Sequence, residues 1–452
     1  MYVDVDADVK HKFYSEDYFA RHFNDMGYTV GIFGKHLNNY NTKEAPPGVE
    51  RWFINGGGEY LNPSFSSAEP RVEPTEVRYD NCTLPNGIST DCYSTSVIGN
   101  VSLSWISDQV KGDPTRPFFA YIAVKAPHIQ DGPGFPQATP APWYTDAKLS
   151  GRNYAPRTPN YSPYNVSCPD HHWLVRQQPP LTELEANKVD ELYASRLRTL
   201  LSVDDLVEDL VATLDNLGVL DNTYILFTSD NGYRFGQFRM PQGKFHPYEN
   251  DIRVPMYIRG PGIRPGSIRP DILGSHVDIM PTLLSLASPS SGDANISMAI
   301  QGMDGQDLSP LLLGKASSKD EPNLVVIEYV GLGPVVRYQH QEDAFNNTFV
   351  ALRIIDPTLP QGWQNIKYVE YTDCRNDWNF TNAAQEYELF DLAADPFEMN
   401  NIFSIASRDL LDRLHKVLRE LYTCAGDSCR NVIFSRPSTS EFIGLDTMIQ
   451  IE

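Results

Sequence analysis

The stretch Tyr224-Ile-Leu-Phe-Thr-Ser-Asp-Asn-Gly-Tyr233 is a short apolar run that ends abruptly in a polar turn. The run is continuous rather than alternating, the pattern of a strand covered on both faces in a parallel sheet flanked by helices. Just upstream, Leu192, Leu197, Leu200, Leu201, Val203, Leu206, Leu210, Leu214 and Leu217 recur at three- and four-residue steps, and Gly218 supplies a helix C-cap. Helix followed at once by buried strand is half of a βαβ unit. The same texture recurs three times. Tyr28-Thr-Val-Gly-Ile-Phe33 runs into Gly34-Lys35, and Phe118-Phe-Ala-Tyr-Ile-Ala-Val124 runs into Lys125-Ala-Pro-His128. Val254-Pro-Met-Tyr-Ile258 runs into Arg259-Gly-Pro-Gly262. A shorter helix over 15–26 is predicted to feed the first of these strands. The expected fold class is α/β.

Beyond Leu313 the texture changes. Leu324–Val330, Phe349–Ile355, Lys367–Thr372 and Tyr387–Leu392 are strand-like with no helix between them, which predicts a small antiparallel sheet. The amphipathic run Ser407–Tyr422 is expected to pack on it. A boundary near residue 313 therefore separates a catalytic α/β domain, 1–313, from a C-terminal subdomain, 314–452. The region from Pro127 to Pro180 is rich in Pro, Tyr, Asn and Gly and reads as a long irregular loop, a common place for function.

Composition narrows the class. The chain has 452 residues, 41% of them apolar, so it can bury a core. Its formal net charge of −21, with no Lys/Arg-rich run, excludes a protein that wraps nucleic acid through phosphates. A few lysines focused in a cleft still suffice for a small anionic substrate. No apolar run reaches the roughly 18 residues of a transmembrane helix. Of six cysteines, Cys424 and Cys429 bracket a short polar loop and Cys82 and Cys92 lie close together, so disulfides are expected at both places. Asn-x-Ser/Thr sequons occur at Asn81, Asn100, Asn160, Asn165, Asn295, Asn346 and Asn379. Together these features point to a secreted or lysosomal glycoprotein. Met1–Val9 has neither the charged nor the apolar region of a signal peptide, which points to a missing N-terminal portion.

Polar groups at the C-terminal ends of parallel strands converge on one crevice, the usual ligand site of an open α/β sheet. Three of the strand ends deliver Lys35, His128 and the pair Asp230-Asn231, and Lys244 returns after a loop containing Gly and Pro. A carboxylate beside an amide oxygen offers two hard ligands for Ca²⁺ or Mg²⁺. Lysines nearby hold the oxygens of sulfate or phosphate, and a histidine can protonate a leaving alcohol. Each element has a plainer reading. Asp-Asn-Gly is a strong turn former, Gly34-Lys35 reads as a loop with a solvated lysine, and His128 as an anchor for its loop. Asp204-Asp205 caps or solvates the long helix, and His171-His172 are expected at the surface or a substrate rim. Asp4, Asp6 and Asp8 read as a solvated end.

Longer motifs narrow these alternatives. Thr228–Phe238, continuing through Lys244 and Pro247-Tyr-Glu-Asn-Asp-Ile-Arg-Val-Pro255 to Arg259-Gly-Pro-Gly-Ile263, resembles the glucosamine-6-sulfatase branch of the metal-dependent sulfatases, in the alkaline-phosphatase-like superfamily. So do His172-Trp-Leu-Val-Arg-Gln177, Thr199–Glu208, Gly27-Tyr28 through Gly34-Lys35, His276–Thr282 and Tyr387–Leu392. The resemblance spans about Phe19 to Cys429. It implies a mixed sheet flanked by helices with a smaller antiparallel subdomain. It implies that Asp230 and Asn231 are half of a calcium site, that Lys35 and Lys244 contact sulfate, and that His128 lies beside the leaving oxygen. The substrate implied is a sulfated amino sugar or glycosaminoglycan.

Three departures stand out. His36 takes the place of the aromatic residue that usually follows the signature lysine, with Leu37 after it, and Val30 replaces a Ser/Thr. The family also carries a Cys-x-Pro-Ser-Arg or Ser-x-Pro-x-Arg motif upstream of the lysine signature, whose Cys or Ser a formylglycine-generating enzyme oxidises to formylglycine, the nucleophile. No such motif and no cysteine precede Lys35, and Cys82 lies on the wrong side of it. Three readings follow: a sulfatase lacking its N-terminal portion and inactive as written, a non-catalytic binder of sulfated glycans, or a superfamily phosphatase or phosphodiesterase. The third is disfavoured by the shortage of histidines at strand ends.

Overall fold

β1 (Thr29–Lys35) is buried from Thr29 through Gly34, so its continuous apolar run is matched by cover on both faces. A computed structural model of the chain describes residues 18–36, 48–68, 74–79, 92–130, 135–151, 153–162, 168–270, 272–288, 294–316, 324–356, 363–377, 380–432 and 434. The acidic run Asp4–Asp8, Leu37 and Cys82 lie outside the described residues. The chain divides into two compact units, Met1–Tyr154 with Asp190–Thr223, and Ala155–Val189 with Tyr224–Glu452.

In the first unit, α1 (Phe19–Asp25) leads into β1, as expected from the helix signal before it. β1 pairs in parallel with β2 (Arg51–Asn55) on one side and with β5 (Phe118–Ala123) on the other. β3 (Ser64–Ala68) and β4 (Thr75–Arg78) extend the sheet antiparallel, giving the order β4-β3-β2-β1-β5. Two helices cover it. Phe23 of α1 stacks on Phe119 at 4.1 Å, and Trp105 of α2 (Ser94–Gly112) sits 5.4 Å from Phe33. A Cβ on Gly99 of α2 would lie 2.9 Å from Leu206 of α3 (Glu183–Asn216), so the two helices touch where only glycine leaves room.

In the second unit, β6 (Ile225–Phe227) pairs antiparallel with β7 (Tyr257–Arg259) in a two-stranded ribbon. Their continuous apolar runs predict buried parallel strands, and the structure differs. Phe227 and Tyr257 are exposed, and Pro255 has no N–H to donate, so the ladder begins only beyond it. α4 (His276–Ala287) and α5 (Ala294–Gly302) follow.

The expected antiparallel sheet is present, built from β8 (Leu324–Tyr329), β11 (Thr348–Ile355), β12 (Asn365–Thr372) and β13 (Glu386–Asp391) in the order β13-β12-β11-β8. A hairpin of β9 (Val335–Arg337) and β10 (His340–Asp343) turns through Tyr338 and Gln339, both at positive φ, the geometry that suits a tight two-residue turn. On one face of the sheet Val350, Leu352, Ile354, Ile366 and Leu389 meet Leu410, Leu414, Val417 and Leu418 of α6 (Arg408–Thr423). Each of those buried leucines contributes roughly 2 kcal/mol of hydrophobic stabilisation. The period of two along β11 turns Phe349 and Ala351 to the opposite face.

Cys424 and Cys429 form a disulfide, and Cys92 is disulfide-bonded as well. Among the described residues no helix is long and apolar enough to cross a membrane. The sequons divide by burial. Asn100 is exposed on α2, whereas Asn160 is 1% exposed and donates its amide to the Phe397 carbonyl at 3.0 Å. Asn160 is therefore a packing residue, and a glycan there has no room in this fold.

Candidate functional site

Asp230 and Asn231 lie in the turn that follows β6. Asp230 Oδ1 accepts the Asn231 backbone N–H at 3.0 Å. Asn231 donates its own amide N–H to the Gly232 carbonyl at 2.8 Å, which turns its Oδ1 outward. That oxygen accepts a hydrogen bond from the Lys244 ammonium at 2.8 Å. Loop 231–244 thus brings an amide oxygen, a neighbouring carboxylate and a lysine to one turn. From below, His276 donates Nε2–H to the Ser229 carbonyl at 2.8 Å. His276 opens α4, whose start is held by the Ser275/Asp278 capping box. Sequence reading placed His276 only within a familiar motif, and its fixed place at the start of a helix is the signal for an anchoring role.

The segment after Lys244 is fastened to the antiparallel sheet. His246 donates Nε2–H to the Glu342 carbonyl at 3.0 Å, and Glu249 pairs with Arg353 at 3.2 Å. Glu388 collects three donors in its buried carboxylate: Tyr248 OH at 2.9 Å, Tyr371 OH at 2.8 Å and the His172 N–H at 2.7 Å. Charge-assisted bonds of this kind satisfy a buried carboxylate. His171 and His172 are not surface or rim residues, as a Pro- and Tyr-rich loop suggested; both are 1% exposed. His171 donates Nε2–H to the Glu398 carbonyl at 2.7 Å, and His172 stacks on Tyr371 at 4.0 Å. Burial pushes the His172 pKa down to about 3, so its ring is neutral. The loop is held by bonds between distant segments that local composition cannot register.

Lys35 and His128 belong to the first unit, and both border the turn after β2. A Cβ on Gly57 would lie 3.9 Å from Lys35 Cε, the length of an ordinary contact. Tyr60 donates its hydroxyl to the His128 carbonyl at 2.6 Å. Lys125 completes the group: it bonds the Gly58 carbonyl, donates to Gln130 Oε1 at 2.9 Å and sits 5.0 Å from the Tyr60 ring centroid. Sequence reading gave Lys125 no role, although it is the residue with which that strand-end motif begins. His128 donates Nδ1–H to the Ile129 carbonyl at 2.7 Å, which fixes the orientation of its ring. His36 packs edge-on against Trp52, and burial lowers its pKa to about 4. Asp205 accepts the Tyr144 hydroxyl at 2.8 Å and so ties the irregular loop to α3. The structure thus brings Asn231, Lys244 and Asp230 together in one unit, and Lys35 and His128 about one glycine turn in the other.

Asp230 and Asn231 present a carboxylate and an amide oxygen, the donor types a hard divalent cation takes, although the amide oxygen already accepts the Lys244 ammonium. Two ligands are fewer than the six to eight such a cation takes. Among the described residues no group of three His, Cys, Asp or Glu is placed to supply the rest.

The structure shows a mixed α/β scaffold with a carboxylate, an amide oxygen and a lysine gathered in one turn, and comparison with known proteins narrows that class. A solved structure described as a complex with its substrate D-glucosamine-2-N,6-O-disulfate matches at a TM-score of 0.59 and 21% identity, over 89% of this chain and 81% of that one. The sequence profile of the sulfatases matches residues 2–289. N-acetylglucosamine-6-sulfatase of Bos taurus is 33% identical over 89% of this chain and 68% of its own length. The "Extracellular sulfatase SULF-1 homolog" of Drosophila melanogaster is 31% identical over 69% of this chain and 26% of its own length. The chain belongs to the sulfatase family.

Proposed function

We propose that the chain is a sulfuric ester hydrolase of the glucosamine-6-sulfatase type by its binding chemistry, taking sulfate esters of amino sugars and glycosaminoglycans, and is inactive in hydrolysis as it stands. The observation that carries this reading is the Lys244 ammonium against Asn231 Oδ1 at 2.8 Å, beside the Asp230 carboxylate. A positive group and two hard oxygens in one turn are what an anionic ester bound through a cation requires. Asp230 and Asn231 would hold Ca²⁺, with Mg²⁺ as the variant, and such a cation would supply charge neutralisation to the sulfate oxygens. Lys244 contacts the sulfate; the roles of Lys35 as a sulfate contact and of His128 as proton donor to the leaving alcohol rest on the family resemblance alone. The catalytic part spans 1–313 and encloses the profile match, with the C-terminal subdomain over 314–452.

No residue among those described fits the formylglycine nucleophile, so no nucleophilic step is assigned to this chain, and a formylglycine-generating enzyme is a partner only where the motif is present. We expect these 452 residues alone to bind the sulfated sugar without turning it over. The disulfides and the exposed Asn100 support a secreted or lysosomal location, where Asn100 carries a glycan.

Calorimetry with N-acetylglucosamine 6-sulfate and with unsulfated N-acetylglucosamine, each with and without calcium, tests the reading. Calcium-dependent binding of the sulfated sugar alone is expected, weakened roughly ten- to hundredfold by Lys244→Met through loss of a charge-assisted bond. Equal binding of both sugars, or preference for the 6-phosphate, would sink it. The 4-nitrophenyl sulfate and phosphate esters give the turnover arm, in which no hydrolysis of either is expected.

A further inference from the structure

Lysine is a point charge on a flexible four-carbon stem, so a lysine that must meet one oxygen needs its backbone held. Lys244 lies at the end of a loop containing Pro241 and Gly243 that supplies little regular structure. Inside that loop Arg234 is 0% exposed. Its Nη1 donates to Asp251 Oδ2 at 2.9 Å and its Nη2 to the Gln242 carbonyl at 3.4 Å. Its backbone N–H bonds the Gly243 carbonyl at 2.9 Å, so the residue grips the chain immediately before Lys244.

Asp251 closes the loop from the other side. Its Oδ2 also accepts the His246 N–H at 2.9 Å, two residues past Lys244. Its backbone carbonyl accepts the Gly232 N–H at 2.8 Å, next to Asn231. Two glycines are shaped to the pair. At Gly243, φ is +121° and a Cβ would lie 2.5 Å from Arg234 Nη2. At Gly232 a Cβ would lie 2.2 Å from the Asn250 carbonyl oxygen.

We infer that Arg234 and Asp251 form a positioning pair whose job is to set the Lys244 ammonium against Asn231 before any ligand arrives. This rests on the proposed reading of Asn231 and Lys244 as cation and sulfate contacts. Stability alone accounts poorly for the pair. Arg234 Nε and Asp251 Oδ1 are buried without a hydrogen-bond partner among the described residues. A buried ion pair left partly unsatisfied is commonly no better than apolar packing of the same volume. What apolar packing cannot reproduce is the fork that reaches Asp251 and Gln242 at once.

The test uses the full chain with two probes, terbium luminescence for the cation turn and calorimetry with inorganic sulfate for Lys244. The double variant Arg234→Met/Asp251→Asn removes both buried charges together, and near-UV circular dichroism checks its fold. Sulfate affinity is expected to fall about tenfold, in the range of supporting residues around a bound ion. In a Lys244→Met background the same double change is expected to cost nothing further, because its effect passes through Lys244. Additive losses, or unchanged sulfate affinity in the folded double variant, overturn the pair.

Should the double variant not fold, hydrogen exchange of the unsubstituted chain decides. Slow exchange at the Gly232 and His246 amides without ligand is expected, and protection that develops only with calcium and sulfate overturns the inference. Terbium binding unchanged by Asp230→Asn marks failure of the site reading instead, and the exchange result then still stands or falls for the pair.

Discussion

Glu342 lies beneath the segment that follows Lys244, with 1% of its surface exposed. Its backbone carbonyl takes the His246 ring N–H, and among the described residues its carboxylate pairs with the Arg337 guanidinium at 3.6 Å. Among the described residues Oε1 has no hydrogen-bond partner. Burial pushes its pKa up to about 7, and the neighbouring arginines offset only part of that. A carboxyl raised in this way favours the protonated, folded form. Its contribution is fully present below the ordinary glutamate value and is lost as pH rises through about 7. Glu342→Gln keeps the neutral shape at every pH. The variant is therefore expected to match the parent near pH 5 and to exceed it near pH 8 by on the order of 2–3 kcal/mol. Urea melts at the two pH values measure this, and a variant less stable at pH 8 would show that the charge is better compensated than its contacts indicate. Burial likewise raises Asp251 to about 6 and Glu398 to about 7, in the same direction.

Among the elements, β1 and β5 are held at a spacing that one glycine sets. Gly34 has φ +90°, and a Cβ there would lie 2.0 Å from the Ala123 carbonyl oxygen across the pairing. Gly34→Ala is expected to cost at least about 4 kcal/mol, since it combines a left-handed conformation with a backbone clash that cannot relax locally. Thermal denaturation measures the cost. A drop of under about 1 kcal/mol would mean that the strands part easily, and Lys35 with them. The strands were legible as apolar runs with polar ends, and β1 ends at Lys35 as that pattern implies. The runs of β6 and β7 were read in the same way, as buried parallel strands, and pair antiparallel instead. A run such as Tyr224–Phe227 states that a strand can be buried, while its partner is chosen by contacts the run does not contain.

For the whole molecule, the disulfide Cys424–Cys429 closes a short loop whose Gly426 N–H bonds Asp304 at 2.8 Å and whose Arg430 bonds the Met303 and Gly305 carbonyls at 2.6 and 2.9 Å. Closing so short a loop restricts the unfolded chain modestly, by roughly 2 kcal/mol. Cys424→Ser/Cys429→Ser is expected to lower the melting temperature by a few degrees and to raise hydrogen exchange at Met303–Gly305. An unchanged exchange rate there would show that Arg430 holds the loop unaided. The pairing itself was legible, because two cysteines around a polar loop in a sequon-bearing chain have few other uses.

The sequence by itself determined the family, the α/β class, the antiparallel sheet after Leu313 and the residues of the Asp230-Asn231 turn. Each of these is carried by local periodicity or by an ordered motif, and neither depends on which distant segments meet. Only the tertiary structure decided that Lys244 meets the Oδ1 of Asn231, that Arg234 and Asp251 bracket it, and that Lys125 joins Lys35 at the turn after β2. It alone showed His171, His172 and Asn160 to be interior residues. The physical reason is shared: a buried polar group is stable only where a partner waits, and that partner lies far along the chain.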